Sequence, residues 1–114
     1  MKYFRFILLI NFITILSCLT DEIRKTYTVT DANETIIDTL YPIKDKNYTT
    51  KIIKLMGETN DSIYISVDKG YKIYFIGNID TSVNLDYYGK YPVIFEFNPY
   101  KATNVNLNIE FTIL

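Results

Sequence analysis

Histidine and tryptophan are absent from this sequence, and cysteine occurs once. Without histidine, the usual general base near neutral pH is missing. A single cysteine makes neither an internal disulfide nor a cysteine-based zinc site. Glycine (4) and proline (3) are scarce among the 114 residues, and no glycine-rich phosphate cradle is present. Neither sign of charge dominates: 12 basic and 13 acidic residues leave a net charge of −1. The lysines are spread along the chain (Lys25, Lys44, Lys51, Lys69, Lys90, Lys101). Nucleic-acid binding needs a basic patch, so that class of partner is excluded. Stability has to come from packed aliphatic and aromatic side chains.

Tyrosine (11) and phenylalanine (7) supply the aromatics. Isoleucine, asparagine and lysine are also abundant, a bias that A/T-rich codons produce, so tyrosine number alone is weak evidence of a site. The N-terminus has a secretory layout: basic Lys2 and Arg5, an apolar run from Phe6 to Leu16 broken only by Asn11 and Thr14, then Ser17-Cys18. The run is shorter than the ~20 residues of a spanning helix. We therefore expect a signal peptide with a helical core over residues 1–18, a polar tether over 19–25 and one domain over 26–114. Thr14-Ile15-Leu16-Ser17-Cys18 resembles the lipobox of bacterial lipoproteins, which implies lipidation of Cys18 if the source is bacterial; in a eukaryote, Cys18 merely ends the apolar run. The lack of other cysteines fits a bacterial origin slightly better.

The final stretch is the clearest structural signal. Val105, Leu107, Ile109, Phe111 and Ile113 alternate with Asn104, Asn106, Asn108, Glu110 and Thr112, the pattern of a strand with one buried and one wet face. Seven further strands are expected at 26–30, 35–41, 48–56, 62–67, 71–76, 79–87 and 91–97. Gly57-Glu58-Thr59-Asn60-Asp61 reads as a loop. Asp68-Lys69-Gly70 reads as a three-residue hairpin with Gly70 at positive φ, and Gly77-Asn78 as another turn. Short strands at this spacing, without a helix after the leader, predict a small all-β antiparallel β-sandwich, immunoglobulin-like or related.

Several constellations compete with plain surface. Asn78, Asp80, Ser82, Asn84 and Asp86 place an oxygen at every second position, but Val83 and Gly89 stand where a calcium loop needs Gly and Glu; a wet strand face explains them better. Glu96 and Glu110 fit a carboxylate dyad only if their strands pair, and exposed acids on strands commonly deter edge aggregation. Tyr64, Tyr74, Tyr87, Tyr88, Tyr91 and Tyr100 suit either core packing or a stacking surface. Asn33, Asn47 and Asn60 head N-x-S/T sequons near predicted turns, glycosylation acceptors if the export route is eukaryotic.

Gly89-Lys90-Tyr91, the strand to Phe97, Asn98-Pro99-Tyr100 and the last strand resemble the closing strands of chagasin-type cysteine-protease inhibitors. In that family an R-P-W loop occupies the place of Asn98-Pro99-Tyr100. The resemblance implies an immunoglobulin-like fold and a protease-binding role for that loop. The family's N-P-T-T-G loop has no counterpart here. The sequence therefore supports an exported, non-enzymatic module, secreted or lipid-anchored at the surface, that binds a partner or builds a surface. The alternative is a secreted chagasin-like inhibitor. Asn98, Pro99 and Tyr100 are the binding-loop candidates under either reading. No cofactor or metal is expected, the partner is expected to be protein, and membrane contact is expected only through the leader or a lipid on Cys18.

Overall fold

A computed structural model describes residues 22–88 and 90–114; the leader and Cys18 lie outside them. The described chain is all-β. Its six strands are β1 (Ile23–Val29), β2 (Ile36–Leu40), β3 (Thr50–Val67), β4 (Ile73–Asp86), β5 (Val93–Asn98) and β6 (Val105–Ile113). They form one antiparallel sheet in the order β1-β6-β3-β5-β2, with β4 also on β3.

β3 is the axis of this sheet. One of its edges carries β4, from Thr50↔Asp86 to Ile65↔Ile73. The other edge carries β6 along Lys51–Thr59 and then β5 along Tyr64–Val67. β5 and β6 therefore run end to end beside β3. β2 and β1 run end to end beside them in turn. The register of β3 shifts between Thr59 and Ile63. The loops at 99–104 and 30–35 interrupt the neighbouring runs at the same level. All four runs thus break along one line, and the sheet folds there.

How far it folds follows from one contact. A straight strand would hold Lys51 and Asp68 roughly 55 Å apart, at ~3.3 Å per residue. Instead Lys51 Nζ lies 2.8 Å from Asp68 Oδ2. β3 therefore doubles back, and its two halves bring apolar faces together. Phe95 on β5 stacks on Phe111 on β6, with centroids 4.8 Å apart and planes 11° off parallel. At the far edge, Lys25 Nζ lies 3.0 Å from Asp38 Oδ1, and the Tyr27 hydroxyl donates to the same carboxylate, tying β1 to β2. The sheet nearly closes as a barrel. The expected pair of sheets is a single sheet folded across itself.

The core confirms the alternation of β6: Val105, Leu107, Ile109, Phe111 and Ile113 are all buried. They meet Ile53, Leu55, Ile63, Ile65, Phe95 and Phe97. Thr112, placed on the wet face by the sequence, is buried as well.

Four expectations change. Gly57–Asp61 is part of β3 rather than a loop. A Cβ on Gly57 would come within 2.0 Å of the Asn106 carbonyl oxygen, and its φ is 141°, so glycine is required where β6 crosses closely at the fold. Gly77 (φ 82°) bends β4 without ending it. In the β3–β4 hairpin the positive-φ residues are Asp68 (53°) and Lys69 (56°), not Gly70. The Gly70 amide closes the turn onto the Val67 carbonyl at 2.9 Å. Two successive left-handed residues form the turn whose twist suits a hairpin. β1 also begins at Ile23, ahead of the predicted strand start at Thr26. These mergers leave six strands where eight were expected.

Truncating Phe111 leaves a void against both Phe95 and Tyr27. We expect Phe111→Ala to cost about 3–5 kcal/mol in urea unfolding. Tyr71→Ala, at a side chain that packs on nothing, should stay within about 0.5 kcal/mol of wild type.

Candidate functional site: a tyrosine face beside the 99–104 loop

Opposed residues of an antiparallel pair share a face. In the half built on β5, β2 and the second part of β3, the outward face carries Tyr64, opposite both Tyr74 and Asn98. Tyr100 arrives from the loop and completes a triangle. Ring centroids lie 5.7 Å apart for Tyr64–Tyr74, 5.8 Å for Tyr64–Tyr100 and 5.5 Å for Tyr74–Tyr100. Tyr64 is the buried floor at 8% exposure, while Tyr74 and Tyr100 are each 51% exposed.

The loop that delivers Tyr100 is fixed. The Tyr100 amide donates to Asn98 Oδ1 at 2.8 Å, an Asx turn that lets Tyr100 take φ 49°. The Ala102 amide donates to the Pro99 carbonyl (2.8 Å) and the Lys101 amide to the Ser62 carbonyl (3.0 Å). Pro99 and Ala102 are buried. Asn60 clamps the far side: its Oδ1 accepts from the Thr103 and Asn104 amides at 3.0 and 2.9 Å, and its Nδ2 donates to Thr103 Oγ1 at 2.6 Å. The loop therefore lies against the fold line of β3.

Lys72 Nζ sits 4.9 Å from the Tyr64 ring centre, and Lys101 Nζ 5.4 Å from that of Tyr100. Burial, then the neighbouring Glu96 carboxylate, holds the Tyr64 phenol above its ordinary pKa. The rings are tilted by 59–67° to one another and already touch. They leave no slot for an inserted ring or a caged cation. They present edges, hydroxyls and two ammonium groups, the mixed character of a protein-recognition patch.

A second cluster closes the open end of the fold. Lys51, inward on β3 and only 8% exposed, donates to Asp68 Oδ2 at 2.8 Å and to the Tyr91 hydroxyl at 3.1 Å. Its ammonium faces the Tyr87 and Tyr91 rings at 5.4 and 5.3 Å. Asp68 Oδ1 accepts from the Ile94 amide at 2.9 Å. The Tyr87 hydroxyl donates to the Tyr91 carbonyl. Burial works to depress the Lys51 pKa, but the hydrogen bonds to Asp68 and Tyr91 outweigh it and hold the group above its ordinary value. Burial likewise raises Tyr87. Lys51 is therefore a protonated clasp, unsuited to act as a free amine nucleophile near neutral pH.

Of the sequence candidates, Asn98, Pro99 and Tyr100 fall together at the tyrosine face. Cys18 lies outside the described residues. Asn33 and Asn47 are exposed in the connections after β1 and β2, whereas Asn60 lies within β3 with its amide engaged. Glu96 and Glu110 do not form a dyad, because β5 and β6 pair with β3 and not with each other. Asn78 to Asp86 line one continuous strand, β4. Tyr87 and Tyr91 belong to the Lys51 cluster, and Tyr88 is exposed. Sequence reasoning missed Lys51, and it read Asn60 only as a glycosylation acceptor, not as the clamp of the 99–104 loop. The signal for Lys51 was its inward phase, two residues before buried Ile53 and four before Leu55.

No protein-family model matches the chain, and no curated protein or solved structure matches it significantly.

Lys51 and Tyr87 both hold their protons more tightly folded than unfolded. Their contribution is fully present below about pH 10, where the unfolded groups titrate, and is lost as pH rises through the folded values. Urea midpoints measured from pH 7 to 11 should be flat at first and fall above about pH 10.

Proposed function

We propose that this chain is an exported binding module on a small two-layered, immunoglobulin-like β scaffold, and that it recognises a protein surface through Tyr74 and Tyr100. The observation that carries this reading is the placement of two half-exposed tyrosines on a buried third, with one of them delivered by a loop held through six hydrogen bonds at Asn98, Pro99, Ser62 and Asn60. Two half-exposed rings fixed against a buried one present a preformed apolar and hydroxyl surface to a partner. Rigid tyrosines lose little conformational entropy on binding, which is why they dominate contact energetics at such surfaces.

Export rests on the leader: a basic start, an apolar run and a small-residue end. Cys18 would add a lipid anchor in a bacterial host. The protease-inhibitor reading uses the same loop. Tyr100 lies across Tyr64 and Tyr74 rather than standing off the fold, and this favours a broad contact over insertion of the loop into a cleft.

The test is affinity capture from the native extracellular fraction with wild type and with Tyr74→Ala/Tyr100→Ala, followed by titration of the captured protein. Each substitution should weaken binding by about tenfold or more, given about 2 kcal/mol per hot-spot aromatic. Inhibition of papain at micromolar concentration, lost in the same variant, would assign the face to a protease instead. A partner bound equally by wild type and the double variant contradicts the tyrosine face.

A further inference from the structure

The half built on β1, β6, the first part of β3 and the second part of β4 turns the opposite kind of face outward. A groove of about 410 Å³ crosses all four strands there. Two cross-strand rows line it. Thr26, Glu110, Lys54 and Ser82 share one row, and Asn108, Met56 and Asp80 the next. Three interstrand spacings give it a length of roughly 14 Å.

The chemistry of the lining is specific. Among the described residues, Lys54 and Asp80 make no side-chain hydrogen bond or ion pair, although both are exposed and face the groove. Glu110 uses only Oε1, with Arg24 Nε at 3.0 Å and Thr112 Oγ1 at 3.3 Å. Asn108 accepts from Thr28 through Oδ1 at 3.0 Å, leaving both Nδ2 protons for a ligand. Met56, 58% exposed, gives an apolar floor. The groove thus offers donors (Lys54, Asn108), acceptors (Asp80, Glu110 Oε2 and Ser82 Oγ, whose own proton goes to Asn84 Oδ1 at 3.1 Å), the Thr26 hydroxyl and an apolar patch. Glu110 is already paired with Arg24, which Glu22 also holds at 2.5 Å, and Lys54 offsets Asp80, so the lining carries no strong excess of either charge.

We propose that this groove binds a neutral, hydroxyl-rich ligand, a di- or trisaccharide segment. Vicinal hydroxyls suit a carboxylate beside an ammonium, and the C–H face of a sugar ring suits Met56. An extended peptide fits poorly. Its amides need backbone partners, and on a sheet face those groups are already spent in the β6–β3–β4 ladders. The site is separate from the tyrosine face and does not depend on it.

Saturation-transfer NMR of the full chain tests the proposal, with neutral trisaccharides of glucose, galactose, mannose and N-acetylglucosamine as probes. At least one probe should show transfer at millimolar concentration. Asp80→Ala and Lys54→Ala should each weaken it about tenfold, the scale of one hydrogen bond to a charged group. Both side chains are exposed, so thermal melts should match wild type. Tyr74→Ala should leave transfer unchanged. The proposal is overturned by no transfer from any probe at about 10 mM, beyond the weak end of specific affinity. Transfer that survives both groove substitutions, or that Tyr74→Ala abolishes equally, overturns it too.

Discussion

A single ion pair joins the two ends of one strand. Lys51 near the start of β3 and Asp68 just past its end meet at 2.8 Å, and that contact requires β3, the longest strand among the described residues, to double back. Once β3 folds, its neighbours must fold with it, because β4 follows one edge and β6 and β5 follow the other. The Phe95–Phe111 stack and the shared aliphatic core are consequences of that geometry. The pair is buried on the lysine side and receives further hydrogen bonds from Tyr91 and the Ile94 amide. A buried charge pair stabilises a fold only when its remaining valences are satisfied in this way.

The fold line explains features that otherwise look unrelated. Gly57 admits the β6 backbone, and Gly77 relaxes β4 beside it. The register shift between Thr59 and Ile63 absorbs the bend, as bulges do at sheet corners. Asn60 stands within that shift and reaches across to hold the 99–104 loop. The same bend therefore places Tyr100 over Tyr64 and Tyr74. It also separates the outward surfaces by character, tyrosines on one half and hydroxyls, amides and balanced charges on the other.

Local chemistry was legible in the sequence wherever it was self-contained. The alternation of β6 located five core residues, and Asp68-Lys69-Gly70 located the β3–β4 hairpin. Asn98, Pro99 and Tyr100 were singled out and do sit beside the tyrosine face. The rest depends on contacts distant in sequence. Gly57 to Asp61 carries loop residues because a bend and a close crossing need them, and nothing local distinguishes that from a turn. Gly70 seemed the residue for positive φ, yet Asp68 adopts it; its carboxylate is held by Lys51 and the Ile94 amide, partners 17 and 26 residues away. The tyrosine triangle joins β3, β4 and a loop that only tertiary pairing brings together.

The Lys51–Asp68 clasp holds the sheet in its folded form. A double-mutant cycle with Lys51→Met and Asp68→Asn measures it directly, since asparagine tolerates the left-handed backbone at 68 and keeps an acceptor for the Ile94 amide. From urea unfolding at pH 7, we expect a coupling energy of at least about 1 kcal/mol, the scale of a partly buried, hydrogen-bonded charge pair. Substitution effects that add to within about 0.3 kcal/mol would mean that the two ends of β3 meet without holding each other, and would contradict a clasp.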